Sequence, residues 1–182
     1  MQNKKKQKPQ IKSKLHIRNK HRERYDLVAL AKTHPVLNDF LITTEFDELS
    51  IDFFNPQAVK ALNAALLMHH YDIKYWDIPP YYLIPPIPGR ADYIHYIADL
   101  LAESNEGKIP TGEKVIIFDI GVGSSCVYPI IGISEYGWSF ICSDIDTTAI
   151  ESTKKIVEKN KTIKDKITIK LQEDKYKIFN GI

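Results

Sequence analysis

Asp119, Gly121, Gly123 and Asp144 have the types and spacing of a nucleoside-binding turn. They belong to Val115-Ile-Ile-Phe-Asp-Ile-Gly-Val-Gly-Ser-Ser-Cys126, an apolar run ending in Asp-x-Gly-x-Gly, and to a second apolar run that closes on Asp144. Where a strand turns into a helix, glycines let the chain reverse sharply and bring its backbone against a ligand with no Cβ in between. The first turn of the helix offers unpaired N–H groups. Asp144, 23 residues after Gly121, stands where a carboxylate can accept both hydroxyls of a ribose.

Three readings suit such a turn: a dinucleotide site, an S-adenosylmethionine site and a purely structural bend. The dinucleotide fingerprint needs a small third residue at position 126, and Cys126 departs from the Gly or Ala required there. S-adenosylmethionine has no pyrophosphate to seat on the helix, so the third glycine is dispensable. Asp119 is then placed to orient the turn and the amino-acid end of that cofactor. The residues favour S-adenosylmethionine over a nicotinamide or flavin, but a lone Gly-x-Gly leaves all three readings open.

The elements that must position these residues follow from periodicity. Val115 to Ile120 is a continuous apolar run of the kind buried on both faces of a parallel sheet. Ser124 to about Glu135 reads as a helix, Trp138 to Cys142 as a second strand, Thr147 to Asn160 as a second helix and Lys166 to Leu171 as a third strand. This alternation predicts an α/β, Rossmann-like domain from about residue 111 onward, with a doubly wound parallel sheet. Before it, residues 25–110 predict a mostly helical layer. Tyr25 to Lys32 and Arg90 to Leu101 have helical spacing, and Asn55-Pro56 can cap and start a helix that runs to about His70. The proline-rich stretch from Asp77 to Gly89 predicts an extended connection.

Composition bounds the possibilities. A 43% hydrophobic content suits a globular core, and no run approaches the roughly 18 apolar residues of a membrane span, so the expected location is the cytoplasm with no membrane partner. Cys126 and Cys142 lack metal-ligand spacing and read as free thiols. His69 and His70 are adjacent and point about 100° apart on a helix, so no metal is expected there either. The charge is asymmetric: residues 1–24 hold ten Lys or Arg against Glu23 alone, a net of +9, whereas the remainder has 15 against 22 acidic residues. This predicts a basic, disordered arm over residues 1–24 that meets a polyanion, with Lys12, Lys14, Arg18, Lys20, Arg22 and Arg24 as candidate RNA contacts. His16, Asn19, His21 and Tyr25 add stacking and hydrogen-bonding groups. A solubilising tail is the plainer alternative.

Longer motifs narrow the choice. Asp119 to Gly132 with Tyr136-Gly-Trp138, Asn55 to Asn63, Trp76-Asp-Ile-Pro79, Pro88 to His95, Arg18 to Asp26 and Ile178 to Ile182 together resemble the bacterial 23S ribosomal RNA adenine-1618 N6-methyltransferases. More distantly they are similar to the eukaryotic N6-adenine methyltransferase acting on U6 small nuclear RNA. The resemblance covers nearly the whole chain and implies a class I S-adenosylmethionine-dependent methyltransferase fold that methylates N6 of one adenine in 23S rRNA. It implies that Arg90 pairs with the carboxylate of the cofactor's methionine part, that Gly121 and Ser125 line the cofactor, that Asp144 holds the ribose and that Asp174 lies on the adenine side. Arg90 has a competing role as an ion-pair partner of Asp92 or Asp119.

One departure matters. N6-adenine methyltransferases carry Asn-Pro-Pro-Phe or a close variant, whose Asn side chain and proline carbonyl accept the amine's hydrogens while the aromatic ring stacks on the flipped base. No such tetrapeptide occurs in these 182 residues. Asp77-Ile-Pro-Pro-Tyr81 precedes the cofactor turn, has an extra residue and reads as a decoy. The expectation is an N-terminal fragment with an incomplete parallel sheet, a monomer, unable to methylate alone. A non-catalytic RNA-binding module is the alternative.

Overall fold

Helix starts that could be read from the sequence are built as capping chemistry requires in the computed structural model, which describes residues 11–180. The Asp26 side chain accepts from Ala29 N and starts α1 (Leu27–Thr33), which a 3-10 turn (Pro35–Phe40) follows. Asn55 accepts from Gln57 N and Ala58 N and starts α2 (Pro56–Tyr71), with Pro56 at the first helical position. Between them lies a small antiparallel hairpin, β1 (Leu41–Thr43) and β2 (Leu49–Ile51), in place of an unassigned apolar patch at Phe40 to Ile42. Helix α3 (Ile87–Glu103) begins three residues earlier than its periodicity suggests. Pro88 falls in its first turn, where a missing N–H costs nothing, so the extended connection stops at Pro86.

The α/β part comprises β3 (Ile116–Ile120), α4 (Val127–Tyr136), β4 (Ser139–Asp144), α5 (Thr147–Glu158), the short α6 (Lys161–Lys164) and β5 (Ile167–Leu171). The three strands are parallel in the order β3-β4-β5, with Asp119 opposite Cys142 and Asp144 opposite Leu171. Only the central strand is buried as a double-sided strand should be. Among the described residues β3 has a neighbour on one side alone, so Ile116 (62%) and Ile120 (45%) are exposed and the expectation of two buried faces fails there.

Both parts share one core. Leu66, Leu67 and Tyr71 of α2, Ile94 and Ala98 of α3 and Ile130, Ile131 and Trp138 of the α/β part belong to a single buried cluster. Gly132 allows the closest approach: a Cβ there would lie 2.5 Å from Phe140 Cζ, so the helix α4 can sit against β4 only without one.

The arm expected to be disordered through residue 24 is folded from Ile11 onward. His16, Asn19 and His21 are buried, and Ile11 bridges Glu23 in antiparallel fashion. The cause is polar rather than apolar, which is why hydrophobic periodicity missed it. Arg18 donates to Asp99 (2.6 Å), to the His95 carbonyl (2.9 Å) and to the Tyr136 hydroxyl (3.0 Å). Asn19 donates to the Pro88 carbonyl and to Asp92, whose carboxylate also accepts from His16 N. Residues 11–24 are thus a strap laid across α3 and α4. Met1 to Gln10 lie outside the described residues, as does the end of the closing Ile178 to Ile182 motif.

Candidate cofactor-binding site

Gly121 (φ +78°), Gly123 (φ +66°) and Cys126 (φ +54°) carry the chain from β3 into α4 through three left-handed residues. Cys126 takes a conformation that usually falls to glycine, and does so fully buried. The turn is braced from behind. Gly121 N and Val122 N donate to the Ser143 carbonyl at 2.8 and 3.0 Å, and Gly123 N donates to Asp144 Oδ2 at 2.8 Å. Its carbonyls are taken too, at Gly123 by Thr153 Oγ1, at Ser124 by Ser152 Oγ and at Ser125 by Trp76 Nε1. What remains for a ligand is the amide side: Ser124 N and Ser125 N, in the turn just before the N-cap of α4, donate to nothing among the described residues.

In front of the turn lies a cleft of about 330 Å³, lined by Gly121, Gly123, Ser125, Arg90, Tyr82 and Tyr128 among others. A Cβ built on Gly121 or Gly123 would meet nothing within 4 Å. Arg90 donates to the Tyr128 hydroxyl at 2.7 Å and makes no ion pair among the described residues, so the competing pairs with Asp92 and Asp119 are not formed. A half-buried guanidinium without a carboxylate, sharing the cleft with the free turn amides of Ser124 and Ser125, fits a carboxylate-bearing ligand.

Asp119 Oδ2 is buried without a hydrogen-bond partner. Burial, reinforced by the nearby charge of Asp144, pushes its carboxyl up to about 6. Asp144 itself is committed to structure on both oxygens, since Oδ1 accepts from Asp146 N at 3.0 Å. A carboxylate oxygen can accept a second hydrogen bond, so a ribose role is compatible with this bracing. Asp146 caps α5 through Thr148 N and Ala149 N and accepts a hydrogen bond from the Tyr82 hydroxyl, which fixes the opposite wall of the cleft. Asp174 caps its own turn, accepting from Tyr176 N at 2.9 Å, and does not line the cleft.

The basic candidates are divided. Lys12 donates to the His21 carbonyl and stacks on Tyr25, Lys20 pairs with Glu135 at 2.9 Å, Arg24 with Glu48 at 2.8 Å and Arg18 with Asp99. Lys14 and Arg22 have no side-chain partner among the described residues. His69 and His70 face different neighbours, Thr33 and the His21 ring. No cluster of three metal-binding side chains exists among the described residues, and no described helix is long and apolar enough to cross a membrane.

Periodicity missed Tyr82, Leu83 and Tyr128 as cleft residues and Trp76, Ser152 and Thr153 as braces. The signal for the first two was the doubled prolines on either side, Pro79-Pro80 and Pro85-Pro86, which stiffen a wall as well as a linker.

A family model described as RNA methyltransferase matches residues 9–182. The ribosomal RNA large subunit methyltransferase F of Serratia proteamaculans is 53% identical over 98% of this chain and 53% of its own length. Among solved structures, the N-terminal domain of human METTL16 in complex with SAH superposes with a TM-score of 0.75 at 30% identity, over 88% of this chain and 60% of that one. The human METTL16 catalytic domain in complex with a MAT2A 3'UTR hairpin gives 0.76 at 31%, over 88% and 54%. The chain spans about half the length of the curated relatives it matches.

Proposed function

The chain belongs to the RNA methyltransferase family, and from that premise we propose that it supplies the cofactor-binding part of an enzyme that methylates N6 of an adenine, adenine 1618, in 23S rRNA. S-adenosylmethionine, when bound, supplies the electrophilic methyl group. The chain's own residues hold and orient it. Arg90 and the amides of Ser124 and Ser125 take the carboxylate, Gly121 and Gly123 bring the backbone against the cofactor, and Asp144 receives the ribose. Asp119, ionised above pH 6, offers its unpartnered oxygen to the cationic end of the methionine part. The observation that carries the reading is the pair of unspent opposite charges, Arg90 and Asp119, flanking an open glycine turn.

The acceptor side is not built from these residues. With no Asn-Pro-Pro-Phe to hold the adenine amine, the 182-residue chain is expected to bind the cofactor without completing transfer at an appreciable rate. Asp174, which the resemblance places on the adenine side of the cofactor, is proposed as a further cofactor contact, although it does not line the cleft. The RNA partner is proposed to meet Lys14, Arg22 and the lysines of residues 1–10 rather than Arg18, Lys20 or Arg24, which are already paired. Titration calorimetry with S-adenosylmethionine and with NADH tests the cofactor: heat with the first alone is expected, and binding of NADH alone would sink the reading. Deleting residues 1–10 should flatten the dependence of RNA affinity on log salt.

A further inference from the structure

The residues that directly follow the Asp77–Tyr81 decoy form a wall of the cofactor cleft. Tyr82 and Leu83 line the cleft directly. Both ends of the segment are fixed: Tyr82 bonds Asp146 at the cap of α5, and the Pro85 carbonyl accepts from the buried Asn63 side chain at 2.7 Å. Just before the first anchor, Tyr82 N donates to the Pro79 carbonyl, closing a tight turn with Pro80 and Tyr81 at its centre. Tyr81 has φ +69°. That is the third position of a type II turn, which normally takes glycine, and a side chain there costs about 1 kcal/mol or more of backbone strain.

The strain is matched by no packing. The Tyr81 ring is fully exposed at 106%, the neighbouring Leu83 at 73%, and Tyr81 makes no hydrogen bond or ring contact among the described residues. An exposed aromatic ring on a constrained backbone, next in the chain to the cleft-lining Tyr82, offers a free flat face to another flat, apolar surface. We propose that Tyr81 is a stacking platform for an unpaired RNA base beside the methyl-transfer cleft. Aromatic stacking is the usual means of holding single-stranded bases, and the prolines around Tyr81 reduce the entropy lost on contact. The proposal rests on the RNA methyltransferase reading for the nature of its partner.

The test uses the 182-residue chain with a single-stranded RNA carrying 2-aminopurine, in parallel with calorimetry of S-adenosylmethionine. Tyr81→Gly relieves the strained φ, so its melting temperature should rise while RNA affinity falls about tenfold and the 2-aminopurine quenching disappears. Cofactor affinity should not change. Tyr81→Phe keeps the ring and should keep the RNA affinity. RNA binding equal to native in Tyr81→Gly, or no RNA binding by the native chain, would overturn the platform and leave the ring to a protein partner. Loss of cofactor binding in the native chain with the Tyr81 dependence intact would instead overturn the cofactor reading and leave the platform standing.

Discussion

The strap over residues 11–24 and the turn over residues 119–126 are both rich in polar groups, yet they dispose of charge in opposite ways. In the strap the cations that meet the protein body are spent internally: Arg18 pairs with Asp99, Lys20 with Glu135, and Lys12 donates to the His21 carbonyl. In and around it the buried atoms left without a hydrogen bond are His21 Nδ1, His95 Nε2, the Tyr25 hydroxyl and Glu135 Oε1, and the last of these is ion-paired with Lys20. At the glycine turn the groups left over are charged: Arg90, which lines the cleft without an ion pair among the described residues, and Asp119, whose buried oxygen has no hydrogen-bond partner. Unpaired charge in a partly buried site costs stability, so its retention marks where a ligand completes the electrostatics. Paired charge marks where the fold has already used it.

The largest expected effect tests the strap by acid. Burial holds His21 down to about 3, with His70, Lys12 and Lys20 adding repulsion, and holds His95 down to about 4, with His16 and Arg18 adding repulsion against the opposing pull of Asp92 and Asp99. Both folded values lie below the unfolded 6.5. The unfolded chain therefore takes up protons first as pH falls, and the stability these neutral rings contribute, full above pH 6.5, is lost from there toward pH 4. On the order of 3 to 5 kcal/mol should disappear over that window, measured as a falling urea midpoint. A flat midpoint from pH 7 to 4.5 would mean that the strap detaches without consequence for the fold.

Next is Arg18→Ala, which removes three charge-assisted hydrogen bonds and leaves the Tyr136 hydroxyl and Asp99 facing each other. Because Arg18 is about one-third exposed, a loss of about 2 kcal/mol is expected. The salt dependence of RNA binding should stay as it was. A variant of native stability with weaker RNA binding would return Arg18 to the RNA-contacting role first read from its charge.

Arg90→Ala should do the reverse. Stability should hold within about 0.5 kcal/mol, because its described polar side-chain contact is with Tyr128, while cofactor affinity measured by calorimetry falls roughly 10- to 100-fold, equivalent to about 1.4 to 2.8 kcal/mol. Arg90→Lys should recover only part, since a point charge replaces a planar fork.

The sequence revealed the turn and its helices readily and the strap poorly, for a physical reason. Asp119-x-Gly-x-Gly, Asn55-Pro56 and the apolar strands are local signals, in which the residue type and the geometry it needs lie within a few positions. The strap is held by partners 69 to 118 residues away, such as Pro88 for Asn19 and Tyr136 for Arg18. No window along the chain contains both halves of those bonds, so a folded polar segment reads as a basic tail. The same distance effect hid the cleft wall, where Tyr82 is anchored by Asp146 64 positions on, and it overstated the burial of β3, whose apolar run says nothing about how many neighbours the strand has.

The smallest effect separates stability from function within one residue. Asp119 is pushed up to about 6 by burial and by the neighbouring Asp144, against 3.8 for a free carboxyl. A raised acid value means that the folded state favours the protonated form, so ionisation costs stability, a cost that begins near pH 4 and is complete above pH 6. Asp119→Asn keeps the shape and discards the charge. It should therefore raise stability at pH 7 by about 1 to 2 kcal/mol, a gain that shrinks to nothing as pH falls below 4, while S-adenosylmethionine binds more weakly. Denaturant midpoints at pH 7 and 4 together with calorimetry check both halves. If the variant were less stable at pH 7, Asp119 would be a structural anchor with a partner in the fold, and the turn would resemble the strap in spending its charge internally.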